Sequence, residues 1–176
     1  FDVVEQLWQK DKAFNVDGQN FKLKGVYGLP KPFGGDRPPI LNAAGSGEGR
    51  DFAVRNADFL FTPAIDLERS RGEVAEIKKK AEQVGRDVQV LTFSHVVCRP
   101  TEKEARDYLQ HFAQDNADWA AVDNLVALQF ANAQSFPHDL LALIRDRMAA
   151  GHGGFPLVGT PEQVADGICS LAEAGF

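Results

Sequence analysis

Residues Ala43 to Arg50 read Ala-Ala-Gly-Ser-Gly-Glu-Gly-Arg, directly after the apolar pair Ile40-Leu41 and before Asp51-Phe52-Ala53-Val54-Arg55. The order predicts a short buried strand, a turn of small residues, and a helix. Such a turn leaves backbone N–H groups bare, and the helix dipole favours negative charge at its N-terminus. A hydroxyl (Ser46) and a guanidinium (Arg50) stand within five positions of each other. The chemistry on offer is a phosphate seat built from Ala44, Gly45, Ser46, Gly47 and Arg50. A tightly packed βα turn with no ligand is the competing reading, because neither GxGxxG with a downstream acid nor GxxxxGK[ST] is present.

Other residues able to do chemistry are sparse. His152 lies between Gly151 and Gly153, where it faces either solvent or a pocket. His95 lies in an apolar run, on the strand face opposite Ser94 and Val96. A satisfied core histidine is the simpler reading there. Arg99 follows that run, placed either to bind an anion or to cap the loop. Neither Cys98 nor Cys169 has a cysteine or histidine at metal-ligand spacing. No metal site is expected, and both thiols read as small buried hydrophobes in a reducing, cytoplasmic compartment.

The elements that would position these groups alternate. Strands are expected at Ile40–Ala43, Asp58–Thr62 and Val88–Cys98. Helices are expected at about 48–56 and 67–84, the second closed by Gly85. Alternation of this kind indicates parallel βαβ units. Thr101-Glu102-Lys103-Glu104 is a capping box. After it the rhythm breaks into three successive helices, at about 102–116, 119–133 and 137–150. This stretch carries substrate contacts, an oligomer interface or packing alone. A loop is expected from Gly151 to Pro156. Thr160-Pro161-Glu162-Gln163 then starts a final helix that Gly175 ends. Upstream, Phe1, Val4, Leu7 and Trp8 share one helical face. Asp17-Gly18 marks a turn, followed by a short strand through Phe21, Leu23 and Val26.

Composition sets the bounds. The chain has 176 residues, 44% hydrophobic and 25% charged, with a net charge of −6. The acidic balance argues against a nucleic-acid surface, and no apolar run is long enough to span a bilayer. The chain opens inside an amphipathic helix and stops on an apolar residue, as a fragment of a longer protein would.

Several segments together resemble the luciferase-like, flavin-dependent monooxygenases, nearest the branch of alkanesulfonate, dimethyl sulfone and pyrimidine monooxygenases. The segments are Leu29-Pro30-Lys31-Pro32; Arg37-Pro38-Pro39-Ile40 through Ser46 to Asn56-Ala57-Asp58; Gly85-Arg86-Asp87-Val88; Thr101 to Ala105; and Leu157-Val158-Gly159-Thr160-Pro161 to Asp166, closing on Glu173-Ala174-Gly175. The resemblance implies an α/β fold, the C-terminal portion of a (β/α)8 TIM-type barrel, as one domain over residues 1–176 with a helical insertion at about 101–156. It implies two-component oxygenation of a small organosulfur or related organic compound. A separate flavin reductase would supply reduced FMN, with O2 as co-substrate. By position Ser46 matches the residue that binds the FMN phosphate, with Ala44, Gly45 and Gly47 as close-approach backbone and Arg50 as a neutralising cation. His152 and Arg99 are the catalytic candidates, and residues 134–156 the candidate lid. A homo-oligomer is expected, with no nucleic-acid or membrane partner. The competing function is a non-catalytic flavin-, deazaflavin- or phosphate-ligand-binding relative.

Overall fold

The computed structural model describes residues 1–35, 37–129 and 138–176. The chain forms two compact units, Phe1–Ile40 and Leu41–Phe176.

The first unit begins with α1 (Asp2–Gln9), which carries the expected apolar stripe but has no fully buried residue. Strands β1 (Phe14–Asp17) and β2 (Lys22–Val26) form an antiparallel hairpin. Gly18 N–H donates to Phe21 O across the turn at 2.9 Å. The register shifts between Phe14 and Val16. Gly25 sits near this irregularity at φ 61°, its N–H bonded to Asn15 Oδ1 at 2.8 Å. Glycine takes that left-handed conformation without the Cβ clash other residues incur. Lys31 Nζ donates to the carbonyls of Leu7 and Lys10 and so caps the end of α1.

The second unit holds the parallel strands. β3 (Leu41–Asn42), β4 (Phe59–Phe61) and β5 (Gln89–Leu91) form one sheet in that order. They are linked by α2 (Gly47–Asn56) and α3 (Leu67–Gln83). Leu41 pairs with Phe59 and Phe61 with Leu91. Leu60, Val88 and Val90 are buried toward α2 and α3, which contribute Ala53, Val54, Val74, Ile77 and Ala81. Each helix is capped as its sequence dictates. Ser46 Oγ accepts from Gly49 N, and an Asp66 carboxylate oxygen accepts from Arg69 N. Gly85, at φ 67°, follows α3. Leu41 was expected to be buried but is 54% exposed, because β3 is an edge of this three-stranded sheet and has one neighbour only.

The run expected as one strand from Val88 to Cys98 is two. β5 ends at Leu91, and β6 (Ser94–Cys98) pairs in parallel with β7 (Phe155–Gly159). Thr92 and Phe93 form the joint. Leu91 O accepts from Thr62 N at 2.9 Å, on the β4 side. Thr92 Oγ1 accepts from Ala64 N at 3.1 Å, and Phe93 O accepts from Phe155 N at 3.0 Å. The chain exchanges one hydrogen-bonding partner for another within three residues, which no apolar pattern records.

The helical stretch contains α4 (Glu102–Gln110), a π-helical turn (His111–Asp115), α5 (Trp119–Gln129) and α6 (His138–Gly151). Residues 130–137, which hold part of the expected lid and helix ends, lie outside the described residues. From His138 onward the expected lid is helix α6 and strand β7. The loop expected from Gly151 to Pro156 shrinks accordingly, since Gly151 ends α6 and Phe155 and Pro156 belong to β7. α7 (Pro161–Glu173) has a complete capping box between Thr160 and Gln163. Gly175 follows it at φ 104°, against Val74 of α3, and its carbonyl accepts from Lys78 Nζ at 2.9 Å.

Both cysteines are exposed, not buried. Cys98 alternates with buried Val97 along β6, and Cys169 lies on the face of α7 away from buried Val164 and Leu171. No helix among the described residues is long and apolar enough to cross a membrane.

Leu60 is fully buried at the centre of the β3–β4–β5 sheet. Leu60→Ala should cost about 2–5 kcal/mol of unfolding free energy, measured by denaturant titration of the intact protein. A loss below about 1 kcal/mol would mean that this layer is not a packed core.

Candidate functional site

The glycine turn opens at the C-terminal edge of the parallel sheet. Ala43, Ala44 and Gly45 line a cavity of ≈ 240 Å³ with Phe61, Thr62 and Pro63 from the end of β4. Ser46 is the N-cap of α2, and its Oγ accepts from Gly49 N at 3.1 Å. That bond uses a lone pair and leaves the hydroxyl proton free to donate. A Cβ built on Gly45 or Gly47 would meet nothing within 4 Å, so the backbone there is open to a ligand. One built on Gly49 would lie 2.8 Å from Ala44 Cβ and 3.0 Å from Ser46 Oγ, which explains the third glycine as a packing requirement. An open backbone, a free hydroxyl proton and a helix N-terminus fit a phosphate group.

Arg50 lines the same cavity, joined by Arg69 and Glu73 of α3. Arg50 Nη2 lies 3.3 Å from one Glu73 carboxylate oxygen, and Arg69 Nε lies 2.8 Å from the other. Arg50 is the charged residue legible beside the turn; α3 adds a carboxylate and a second guanidinium.

A second cavity, of ≈ 280 Å³, shares Phe61, Pro63 and Ile65 with the first. Phe93, Leu143, Ile144 and Met148 complete a mostly apolar wall. Phe61 and Phe93 stack with centroids 5.5 Å apart. Arg147 ties α6 to the β4–α3 loop, donating from Nη1 to Ala64 O at 3.0 Å and from Nη2 to Ile65 O at 2.7 Å. Burial pushes its proton affinity down, partly countered by the Asp66 carboxylate. Arg147 therefore acts on the loop that joins the two cavities.

The sequence-derived candidates separate. Ala44, Gly45 and Arg50 line the turn cavity, with Ser46 and Gly47 starting the adjacent helix. His152 lines the apolar cavity, held at φ 55°, with its Nε2 3.5 Å from Gln129 Nε2. Arg99 lies elsewhere. Its guanidinium stacks 4.0 Å from the Tyr108 ring centroid and donates to Cys98 O at 2.8 Å. Its cavity, with Pro100, Glu104, Asp107 and Tyr108, shares no residue with the other two. His95 sits half-buried, its Cβ so close to Gly151 that a Cβ there would lie 2.5 Å away. Its Nδ1 lies 3.2 Å from Gly154 O. Among the described residues no group of His, Cys, Asp and Glu is arranged to hold a metal ion.

Sequence reasoning missed Phe61, Phe93, Arg69, Glu73 and Arg147. Phe61 was within reach, as the last residue of a parallel strand whose C-terminal end is the usual place for a site. The arginines and Glu73 lie on helices, where their spacing is that of an ordinary solvated face.

Burial, more than the nearby Arg147 charge, pushes the His95 imidazole below its usual 6.5, against the opposing hydrogen bond to Gly154. The unfolded chain therefore takes up the proton first on acidification. His95 supports full stability above about pH 6.5, and stability falls as pH drops from there through the lowered folded value. Unfolding free energy should decline on acidification through this window in wild type. The decline should be smaller in His95→Gln; an identical pH dependence would contradict a desolvated imidazole.

A family model described as luciferase-like monooxygenase matches residues 1–176. An FMNH(2)-dependent dimethylsulfone monooxygenase of Pseudomonas fluorescens (strain Pf0-1) is 30% identical over 174 residues, 96% of this chain and 47% of the relative. The solved structure of DmoA from Hyphomicrobium sulfonivorans superposes with a TM-score of 0.80 at 22% identity, covering 99% of this chain and 47% of that one. A riboflavin lyase solved with modified FMN and riboflavin gives a TM-score of 0.80 at 20% identity, covering 99% of this chain and 49% of that one. The chain spans about half the length of the relatives it matches. With the parallel strands and the turn at their C-terminal edge, these matches establish that the chain belongs to the luciferase-like monooxygenase family.

Proposed function

We propose that this chain is the C-terminal portion of a (β/α)8 barrel, with residues 101–156 as its helical insertion. The intact protein is then a reduced-FMN-dependent monooxygenase acting on a small organic compound, of which organosulfur compounds are one class. A separate flavin reductase supplies the reduced flavin and O2 is the co-substrate. The observation that carries this reading is the junction of the two cavities at Phe61, Pro63 and Ile65. A small-residue turn with open backbone and an apolar chamber meet at one strand end.

When bound, the flavin supplies the oxygen-activating chemistry; the protein positions it and excludes water. The N–H groups at Gly45 and Gly47 and the Ser46 hydroxyl would donate to the phosphate, and Arg50 would balance its charge. Ala44 keeps the turn small enough for close approach. Phe61, Phe93, Ile65 and Met148 would keep the adjoining chamber dry, which protects reactive species from hydrolysis. His152, on the chamber rim, would donate a proton or touch substrate. Arg99 has no part in this arrangement. The protein acts in the cytoplasm as a homo-oligomer.

The intact protein should bind reduced FMN, followed by flavin fluorescence or anaerobic titration. Ser46→Ala should weaken binding about tenfold or more, the loss of one hydrogen bond to a charged group. Ser46→Asp should keep the helix cap and abolish binding by placing a carboxylate against the phosphate. Failure of the intact protein to bind FMN in either redox state would overturn the reading, and unchanged affinity in both variants would overturn the Ser46 assignment.

A further inference from the structure

The apolar chamber has a polar neighbour. A third cavity, of ≈ 370 Å³, is lined by His95 of β6, by Arg106 and Gln110 of α4, by Gln114 of the π-helical turn and by Asp146 of α6. Its size and its donors and acceptors suit water. It shares Leu143 and Arg147 of α6 with the chamber, so these two side chains stand between an apolar space and a polar one.

Of the two, Arg147 is tied in place. Its Nη1 donates to Ala64 O at 3.0 Å and its Nη2 to Ile65 O at 2.7 Å, across 83 and 82 positions of sequence. The same segment is held from its other side, where Thr92 Oγ1 accepts from Ala64 N at 3.1 Å and Leu91 O accepts from Thr62 N at 2.9 Å. The wall that the chamber shares with the turn cavity is therefore clamped between the end of β5 and α6. A helix docked for stability alone is held as well by an apolar side chain, without the cost of desolvating a charge. Arg147 is half-buried, and its Nε is shielded with no partner, which costs stability. What the guanidinium gives in return is position, because one planar fork fixes two successive carbonyls. Its central carbon also lies 5.8 Å from the ring centroid of Phe155, where β7 begins.

We propose that Arg147 is a positioning residue that seals the chamber from the polar cavity. By pinning the Ala64 and Ile65 carbonyls it holds the Phe61–Ile65 wall against α6. With Leu143 it bars water from the side of His95 and Asp146. This inference rests on the flavin reading given above, in which a dry chamber protects reactive species. It adds that the dryness depends on a charged side chain remote from the glycine turn. When no substrate is present, O2 takes two electrons and two protons from reduced flavin and leaves as hydrogen peroxide, with oxidised flavin remaining. Water admitted to the chamber speeds that loss.

The test uses the intact protein as wild type, Arg147→Met and Arg145→Ala. Methionine keeps the length and the helix propensity but neither donor. Arg145, on the same helix, pairs with Asp123 of α5 at 2.6 Å and is not among the described residues that line the two cavities. Its loss weakens the docking of α6 alone. Without flavin, amide hydrogen exchange of residues 62–66 should quicken about tenfold in Arg147→Met and match wild type in Arg145→Ala. With reduced FMN and O2 but no substrate, peroxide release should quicken about tenfold in Arg147→Met only. The FMN dissociation constant should stay within about threefold of wild type, since the Ser46 turn is untouched. Unchanged exchange or unchanged peroxide release in Arg147→Met overturns the seal while leaving the flavin reading intact. Equal changes in both variants also overturn it, because Arg147 is then only a tie that holds α6. Where thermal unfolding shows Arg147→Met too damaged to count, Arg147→Lys takes its place. A smaller rise in both readouts is then expected, because an ammonium does not match the fork, and no rise overturns the seal. Wild type that binds no flavin overturns the flavin reading and the seal with it.

Discussion

Everything in the site depends on a two-residue parallel ladder. Leu41 pairs with Phe59 and Asn42 with Leu60. Because the strands run parallel and in this register, the chain leaves β3 and β4 at one edge of the sheet. The small-residue turn after β3 is therefore set beside Phe61, Thr62 and Pro63 after β4. A slip of one residue would turn Leu60 away from the core and carry Phe61 to the helical side. The fully buried Leu60, packed beneath α2 and α3, makes that slip costly. A core contact thus fixes the position of a polar site, since the site sits on the loops and the strands determine where those loops begin.

The helices contribute in two ways. α2 presents its N-terminus to the turn, and the Ser46 cap settles where that end lies. α3 sends back Arg69 and Glu73 from its first two turns, so a helix that buries Val74 and Ile77 on one face dresses the cavity with the other. On the opposite side of the shared wall, α6 is held down by Arg147, which satisfies two loop carbonyls at Ala64 and Ile65. The loop between β4 and α3 is the common boundary of both cavities, anchored by Thr92 and by Arg147.

Much of this was legible in the residues, wherever the signal was local. The capping boxes at Thr101 and Thr160, the glycine after α3 and the turn after β3 each follow from side chains acting within four positions of themselves. What failed was decided at long range. The run from Val88 to Cys98 is apolar throughout, so nothing in it marks Thr92 as the point where β4 gives way to β7 as partner. The exposure of Cys98 follows from the strand face it falls on, which alternation alone does not assign to core or solvent. Glu73 and Arg50 are 23 positions apart, and a charged helix residue reads as solvated until the fold supplies its partner. The family, by contrast, was readable because the order and spacing of several modest motifs ran the length of the chain.

The most direct test of the account is the position of the phosphate in a crystal structure of the intact protein with FMN. The phosphate should lie within hydrogen-bonding distance of Ser46 Oγ and the Gly45–Gly47 backbone. A phosphate bound away from this turn, with Ser46 and both glycines facing solvent, would contradict it.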